Sequence, residues 1–252
     1  TVALAKGTGS AVVKQGGKSW FFLTADYAFG AALEADTARV VKENGGTVVG
    51  SVKHPLNASD FSSFLLQAQN SKAQVLGLAN AGGDLINSIK AAKEFGITKS
   101  MKLVGLLVFI TDVHSLGLKN TEGLLLTTSW DWNLNDQTRA FGKKFFEKAK
   151  RMPTDIQAAD YSATMNYLKA VQAAGTTDAD KVMAKLKSTP IDDFYAKGVI
   201  RPDGRFAHDM YLMQVKSQKE SQQPWDYYKV VAKLPADQVW TTKAESKCAL
   251  WK

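Results

Sequence analysis

Between Lys18 and Thr128 the chain repeats one pattern: an apolar run, a short loop of small and polar residues, then an amphipathic helix. Ser19–Leu23 leads through Thr24-Ala25-Asp26-Tyr27-Ala28-Phe29-Gly30 into a helix predicted over Ala31–Asn44. Thr47–His54 leads through Pro55-Leu56-Asn57-Ala58 into Ser59–Asn70, and Gln74–Ala79 leads through Asn80-Ala81-Gly82-Gly83 into Asp84–Phe95. Lys102–Val108 and Gly123–Thr128 add two further apolar runs. Runs of this length alternating with helices predict βαβ units. The expected fold is therefore α/β, with all five runs in one parallel sheet and helices on both faces. Gly45-Gly46 and Gly96 are expected to stop helices, while Ser59-Asp60 and Asp84 are expected to open them.

After Trp132 the period changes. Gln137–Lys150, Ala158–Ala174 and Asp178–Lys187 read as three helices with little strand signal between them. Phe141, Phe145, Phe146 and Ala149 form one apolar stripe, and Tyr161, Met165 and Leu168 another. Without a local sheet, these stripes are expected to pack on something outside this sequence. Val199-Ile200-Arg201, a Pro202-Asp203-Gly204-Arg205 turn and Met210–Lys216 predict a hairpin. Trp225–Val231 predicts a last strand, and the tail from Lys233 reads as irregular. Thr1–Gly17 reads as a lead-in rather than a full unit.

In parallel α/β sheets, ligands bind outside the carboxyl ends of the strands. Those ends carry Asp26-Tyr27, Asn80-Ala81-Gly82 and Phe109-Ile110-Thr111-Asp112. They offer rings, small residues and hydrogen-bonding groups without a catalytic set, which points to binding without chemistry. Tyr27 can stack on a ligand or hydrogen-bond to it. The Asn80–Asp84 loop is either a tight turn or a place where a ligand carboxylate meets helix N–H groups. Trp130-Asp131-Trp132 either lines an aromatic pocket or plugs a crossover.

Composition narrows the picture further. With 252 residues, 45% hydrophobic and 22% charged, the chain can bury a good core. No apolar stretch approaches the roughly 18 uncharged residues of a membrane helix. The sequence shows neither a signal peptide nor an initiator Met before Thr1, so a processed chain, an engineered one or a fragment is expected. The net charge of +8 is spread over both halves, and the densest basic stretch, Lys143–Arg151, contains Glu147. A nucleic-acid surface wants clustered charge or a known motif, so no nucleic-acid partner is expected. Neither phosphate-loop pattern occurs, and Gly7-Thr8-Gly9 lacks a preceding strand. The three histidines show no metal-ligand spacing, so neither cofactor nor metal is expected. Asp192-Asp193 has no histidine beside it to suggest acid–base catalysis. Cys248, the single cysteine, cannot form an intrachain disulfide.

Several motifs, in order, carry a resemblance. They are Ala25-Asp26-Tyr27-Ala28-Phe29-Gly30, Asn44-Gly45-Gly46-Thr47-Val48-Val49-Gly50, Ser59-Asp60-Phe61 and Lys90-Ala91-Ala92-Lys93-Glu94-Phe95-Gly96. Later come Asn120-Thr121-Glu122-Gly123-Leu124-Leu125, Tyr161-Ser162-Ala163-Thr164 and Arg201-Pro202-Asp203-Gly204-Arg205. Over nearly its whole length the chain resembles the solute-binding proteins of branched-chain amino-acid ABC importers, the leucine/isoleucine/valine-binding type. The resemblance implies a type I periplasmic-binding-protein fold, a periplasmic, non-enzymatic receptor, a small-molecule ligand and a membrane permease as partner. It further implies that residues 1–130 are the second lobe, that 131–190 return toward the first lobe, and that 191–252 hold a hairpin, hinge crossover and tail. The family's N-terminal lobe segment has no counterpart before Ala11. In amino-acid-binding relatives the loop after the fourth strand of this lobe supplies an acid for the ligand ammonium. Aligned on His114-Ser115-Leu116, that position here is Phe109. The ligand-binding residues implied are Asp26, Tyr27, Asn80, Ala81, Gly82, Phe109 and Trp130. An aromatic or hydrophobic carboxylate is expected ahead of a branched-chain amino acid, because an unpaired ammonium in a closed cleft is costly. A sensory domain of a receptor or regulator shares the fold, and an α/β dehydrogenase is weakened by the absent phosphate loop.

Overall fold

The computed structural model describes residues 1–251. The chain divides into two compact units, Thr1–Thr128 with Tyr211–Ala232, and Ser129–Met210 with the chain from Lys233 on. The first is built on strands β1 (Ser19–Ala25), β2 (Thr47–His54), β3 (Val75–Ala79) and β4 (Lys102–Gly105). They form one parallel sheet in the order β2-β1-β3-β4. Helices Ala28–Glu43, Ser62–Asn70 and Gly82–Glu94 connect these strands, within a few residues of the pattern's prediction. Every residue of β3, and all of β1 but Ser19, is buried, as two-sided cover by helices requires. Edge strand β2 instead alternates exposed and half-buried positions. Trp20, Phe22, Leu33, Val41, Val75 and Val104 share one core. Gly77 in β3 makes room for it, since a Cβ there would lie 2.8 Å from the Phe22 ring.

Two pairings differ from the sequence reading. The fifth run does not join the parallel sheet. As β5 (Leu125–Thr128) it pairs antiparallel with β9 (Met210–Val215), and β10 (Tyr228–Leu234) completes that sheet in the order β10-β9-β5. The predicted hairpin also changes partner. After β6 (Ile191–Asp192), β7 (Lys197–Ile200) pairs antiparallel with β8 (Phe206–His208), which leaves β9 for β5. The cause is burial: Met210, Leu212, Met213 and Val215 of β9 are all buried, against Leu125 and Leu126 opposite. Such pairing follows long-range apolar contact, which the local turn signal does not encode.

The lead-in Val2–Lys14 is helical throughout, with a π-helical stretch at Ala5–Gly9. That explains the unused glycine triplet: Gly7, Thr8 and Gly9 are buried in a helix, and the Thr8 and Thr127 hydroxyls lie 2.8 Å apart. In the second unit, helices Asp136–Ala149, Asp155–Ala174 and Ala179–Ser188 start at side-chain caps from Asn135, Thr154 and Asp178. Its tail is held in place. The Trp240 indole N–H donates to the His208 carbonyl at 2.7 Å, and the Arg201 guanidinium lies 4.0 Å over the Trp251 ring.

Candidate functional site

Strands β1, β3 and β4 end side by side in the first unit, and their carboxyl ends carry six of the seven predicted site residues. Beyond β1, Tyr27 is the extended N-cap of helix Ala28–Glu43 and is 43% exposed, its ring 5.8 Å from Phe29. This turn demands glycine at position 30, where a Cβ would lie 2.1 Å from the Ala25 carbonyl oxygen. Asp26 lies beside Tyr27, its carboxylate 3.3 Å from the Lys53 ammonium.

Beyond β3, Ala81 is the extended N-cap of helix Gly82–Glu94, and no side chain caps that end. Gly82 takes φ +57°, and a Cβ on either Gly82 or Gly83 would meet nothing within 4 Å. Uncapped N–H groups beside two glycines can approach an anionic group closely. Asn80 is placed differently: it is fully buried and turned inward. Its amide nitrogen lies 3.1 Å from His54 Nε2 and donates to Ser88 Oγ at 3.0 Å.

Beyond β4, Phe109 is the half-buried N-cap of helix Ile110–Leu116. Its N–H donates to the Asp112 carboxylate at 2.9 Å. Burial raises the Asp112 carboxyl above the usual carboxylate range, partly offset by that hydrogen bond.

The seventh residue, Trp130, belongs to the second unit and is buried there. Its ring stands edge-on to Phe141 and Phe194, and its indole N–H donates to the Phe194 carbonyl at 3.2 Å. Around this cluster Ser129 donates to Asp155 at 3.0 Å, and burial pushes the Tyr195 hydroxyl up to about 12. Asp193 accepts from Ser162 at 2.6 Å and from Asn166 at 2.9 Å, whereas its neighbour Asp192 pairs with Lys197 at the surface. The two carboxylates thus serve separate structural contacts.

Of four buried polar residues near the strand ends, His54, Asp84, Ser88 and Asp112, the sequence reading gives no role to His54 or Ser88. Asp84 does more than open its helix: its carboxylate reaches across to the N–H groups of Asn57 and Ala58, each at 3.1 Å. The available signal was a histidine closing an apolar strand immediately before a proline. Among the described residues no cluster of His, Cys, Asp or Glu is arranged to hold a metal ion. No helix among them is long and apolar enough to cross a membrane.

A parallel sheet flanked by helices, with rings and open backbone donors at its carboxyl edge, is the architecture of a small-molecule receptor of the type I periplasmic-binding-protein fold. A family profile described as periplasmic binding protein matches residues 1–221, and the chain belongs to that family, of the branched-chain amino-acid ABC-transporter type. A periplasmic binding protein from Burkholderia mallei is 70% identical over all of this chain and 67% of its own, with a TM-score of 0.98. A branched-chain amino-acid ABC transporter periplasmic ligand-binding protein from Burkholderia xenovorans is 42% identical over all of this chain and 68% of its own, with a TM-score of 0.88. An ABC-transporter solute-binding protein from Rhodopseudomonas palustris, solved with 3,4-dihydroxybenzoic acid, shares the fold at 22% identity and a TM-score of 0.81 over 94% of this chain and 66% of its own. The family and these relatives are solute-binding proteins, and their periplasmic station implies an extracytoplasmic location.

Proposed function

We propose that the protein is an extracytoplasmic receptor that delivers a small carboxylate-bearing ligand to the permease of an ABC importer, preferring an aromatic or hydrophobic acid to an amino acid. One observation carries this reading: the acids at the strand ends are already engaged. Asp26 pairs with Lys53, Asp84 holds the Asn57 and Ala58 N–H groups, and Asp112 caps Phe109. A zwitterion's ammonium would find Phe109 where the resemblance implies an acid in amino-acid-binding members, and burying it unpaired would cost several kcal/mol. An aromatic carboxylate avoids that penalty, with Tyr27 and Phe109 as ring contacts and the Ala81-Gly82 turn as a source of backbone donors. Asp26 and its Lys53 partner supply hydrogen bonds at the rim. The buried Trp130 acts as packing within its own unit rather than as a ligand contact. The distant relative solved with 3,4-dihydroxybenzoic acid supports the ligand class only by analogy of fold.

In this reading residues 1–130 belong to one lobe of a two-lobed receptor. Residues 131–190 return toward the other lobe, and 191–252 carry the hairpin, crossover and tail. The stripe of Tyr161, Met165 and Leu168, exposed between 38% and 54%, supports this by offering an uncovered apolar face to a segment outside the present sequence. A shallow cavity of about 360 Å³ between Phe145 and that stripe would seat one of its side chains. Calorimetry on the full-length receptor tests the ligand class: 4-hydroxybenzoate should bind at least about tenfold more tightly than leucine. Tight leucine binding with no heat from benzoates would overturn the ligand class and leave the family untouched.

A further inference from the structure

The hydrogen bonds behind the Ala81–Gly83 turn have only one consistent direction. His54 Nδ1 lies 2.8 Å from the Pro55 carbonyl, which can only accept, so Nδ1 carries a proton. In the neutral ring, Nε2 must then accept, and the Asn80 amide 3.1 Å away must donate to it. The second amide hydrogen goes to Ser88 Oγ at 3.0 Å, and Ser88 passes its own proton to the Asp84 carbonyl at 2.6 Å. Both Asn80 hydrogens are thereby used, and its fully buried Oδ1 is left without a partner.

An orphaned buried acceptor is destabilising, so the arrangement needs a reason. The alternative, turning the amide over, would require a charged imidazolium among the Phe61 and Phe64 rings, at centroid distances of 4.9 and 6.2 Å. The orphan is the lesser penalty.

We propose that His54 and Asn80 form a positioning pair, in which the Nδ1–H tautomer of His54 fixes the Asn80 amide and so holds the Ala81-Gly82-Gly83 turn open for the ligand. The pair links the ends of β2 and β3. Asp84 repeats the link from the other side through Asn57 and Ala58. Two strand-end loops are thus tied into one platform, and a preorganised platform saves ordering entropy when the ligand binds. This proposal rests on the strand-end ligand reading for its purpose but not for its geometry.

The test uses the full-length receptor, nitrogen-15 NMR and amide exchange. His54 should show a neutral Nδ1–H signature. His208, whose Nδ1 lies 2.8 Å from the Asp209 carbonyl, supplies an internal reference of the same kind. His54→Gln keeps an acceptor near the Nε2 position. It should leave Leu85 amide exchange, and 4-hydroxybenzoate affinity, within about threefold of the unsubstituted protein. His54→Asn keeps the donor to Pro55 but loses that acceptor, and Asn80→Asp removes the donor. Each should speed exchange of the Leu85 N–H, which is bonded to the Ala81 carbonyl across the turn, and weaken binding, by about tenfold or more. An Nε2–H signature, or unchanged Leu85 amide exchange in His54→Asn, would overturn the pair. Were 4-hydroxybenzoate not to bind at all, the ligand class would fall, and the tautomer and exchange rates would still decide the proposal.

Discussion

The two units use their apolar residues in opposite ways. In the first, Trp20, Phe22, Leu23, Val75 and Leu78 are completely enclosed, and the helices over the sheet bury a face each. In the second, the long helix Asp155–Ala174 buries only Ala158, Ser162 and Ala170, while Ile156, Tyr161, Tyr167 and Leu168 are exposed. The second unit's helices start at side-chain caps and the three over the parallel sheet do not, so the contrast lies in packing and not in helix formation. An amphipathic face gains stability only where something covers it. The first unit covers its own faces, and the second carries a face whose stabilisation remains unused.

Truncating a side chain in each unit separates the two cases most sharply. Leu23→Ala should destabilise the 252-residue chain by about 2–5 kcal/mol, because it empties enclosed volume. Leu168→Ala in the same chain should fall within about 0.5 kcal/mol of zero. In a full-length receptor Leu168→Ala should instead cost about 2 kcal/mol or more, if the stripe is covered there. Urea unfolding of both lengths measures this, and an equal effect of Leu168→Ala in both would remove the case for a covering segment.

Backbone crowding extends the comparison at a smaller scale. Gly30→Ala forces a Cβ to 2.1 Å from the Ala25 carbonyl oxygen, so the β1 turn must shift, at about 1–3 kcal/mol. Gly175 ends helix Asp155–Ala174 at φ +63° with nothing nearby, so Gly175→Ala should cost only about 1 kcal/mol of backbone strain. If the two costs came out equal in thermal unfolding, the strand-end turn would be more pliant than its geometry implies.

The same contrast explains what the sequence made legible. The βαβ pattern from Ser19 to Gly105 was readable because each strand, loop and helix is local, and its apolar period is set by two-sided burial. The predicted rim residues Asp26, Tyr27, Ala81, Gly82 and Phe109 followed from that pattern. Leu125–Thr128 misled because a short apolar run looks alike in a parallel and an antiparallel setting; its partner lies 83 or more residues away, as in Leu125 with Gln214 at a separation of 89 and Thr128 with Tyr211 at 83. The inward turn of Asn80 was invisible for a related reason. It depends on His54 and Ser88, which arrive from other elements. Tail residues Trp240 and Trp251 gave no periodic signal, although His208 and Arg201 hold them in place.

At the rim, Phe109→Glu sharpens the chemical side of the comparison. A carboxylate at that helix N-cap would sit beside Asp112, already held by the Phe109 N–H. Binding of 4-hydroxybenzoate should weaken by about tenfold, through lost ring contact and like-charge repulsion. Leucine binding should strengthen in the same variant. If calorimetry finds neither change, Phe109 does not touch the ligand.

The smallest effects expected are pH dependences, and their signs differ between the units. Burial raises the Asp112 carboxyl, so the folded first unit holds that proton more tightly than the unfolded chain does. The stability it contributes is complete below the ordinary carboxylate pKa and is lost as pH rises through the raised value. His208, in the second unit, is lowered chiefly by burial, against Tyr195 and Trp240. Its contribution is present above 6.5, the usual value, and is lost as pH falls through the lowered one. Asp112→Asn should therefore gain on the unsubstituted protein as pH climbs from about 4 to 7, while keeping an acceptor for the Phe109 N–H. His208→Gln should gain as pH drops below about 6.5. Unfolding free energies of the two variants, each subtracted from the unsubstituted protein across this range, should slope in opposite directions. Slopes of one sign would mean that one of these two groups is not desolvated as its burial requires.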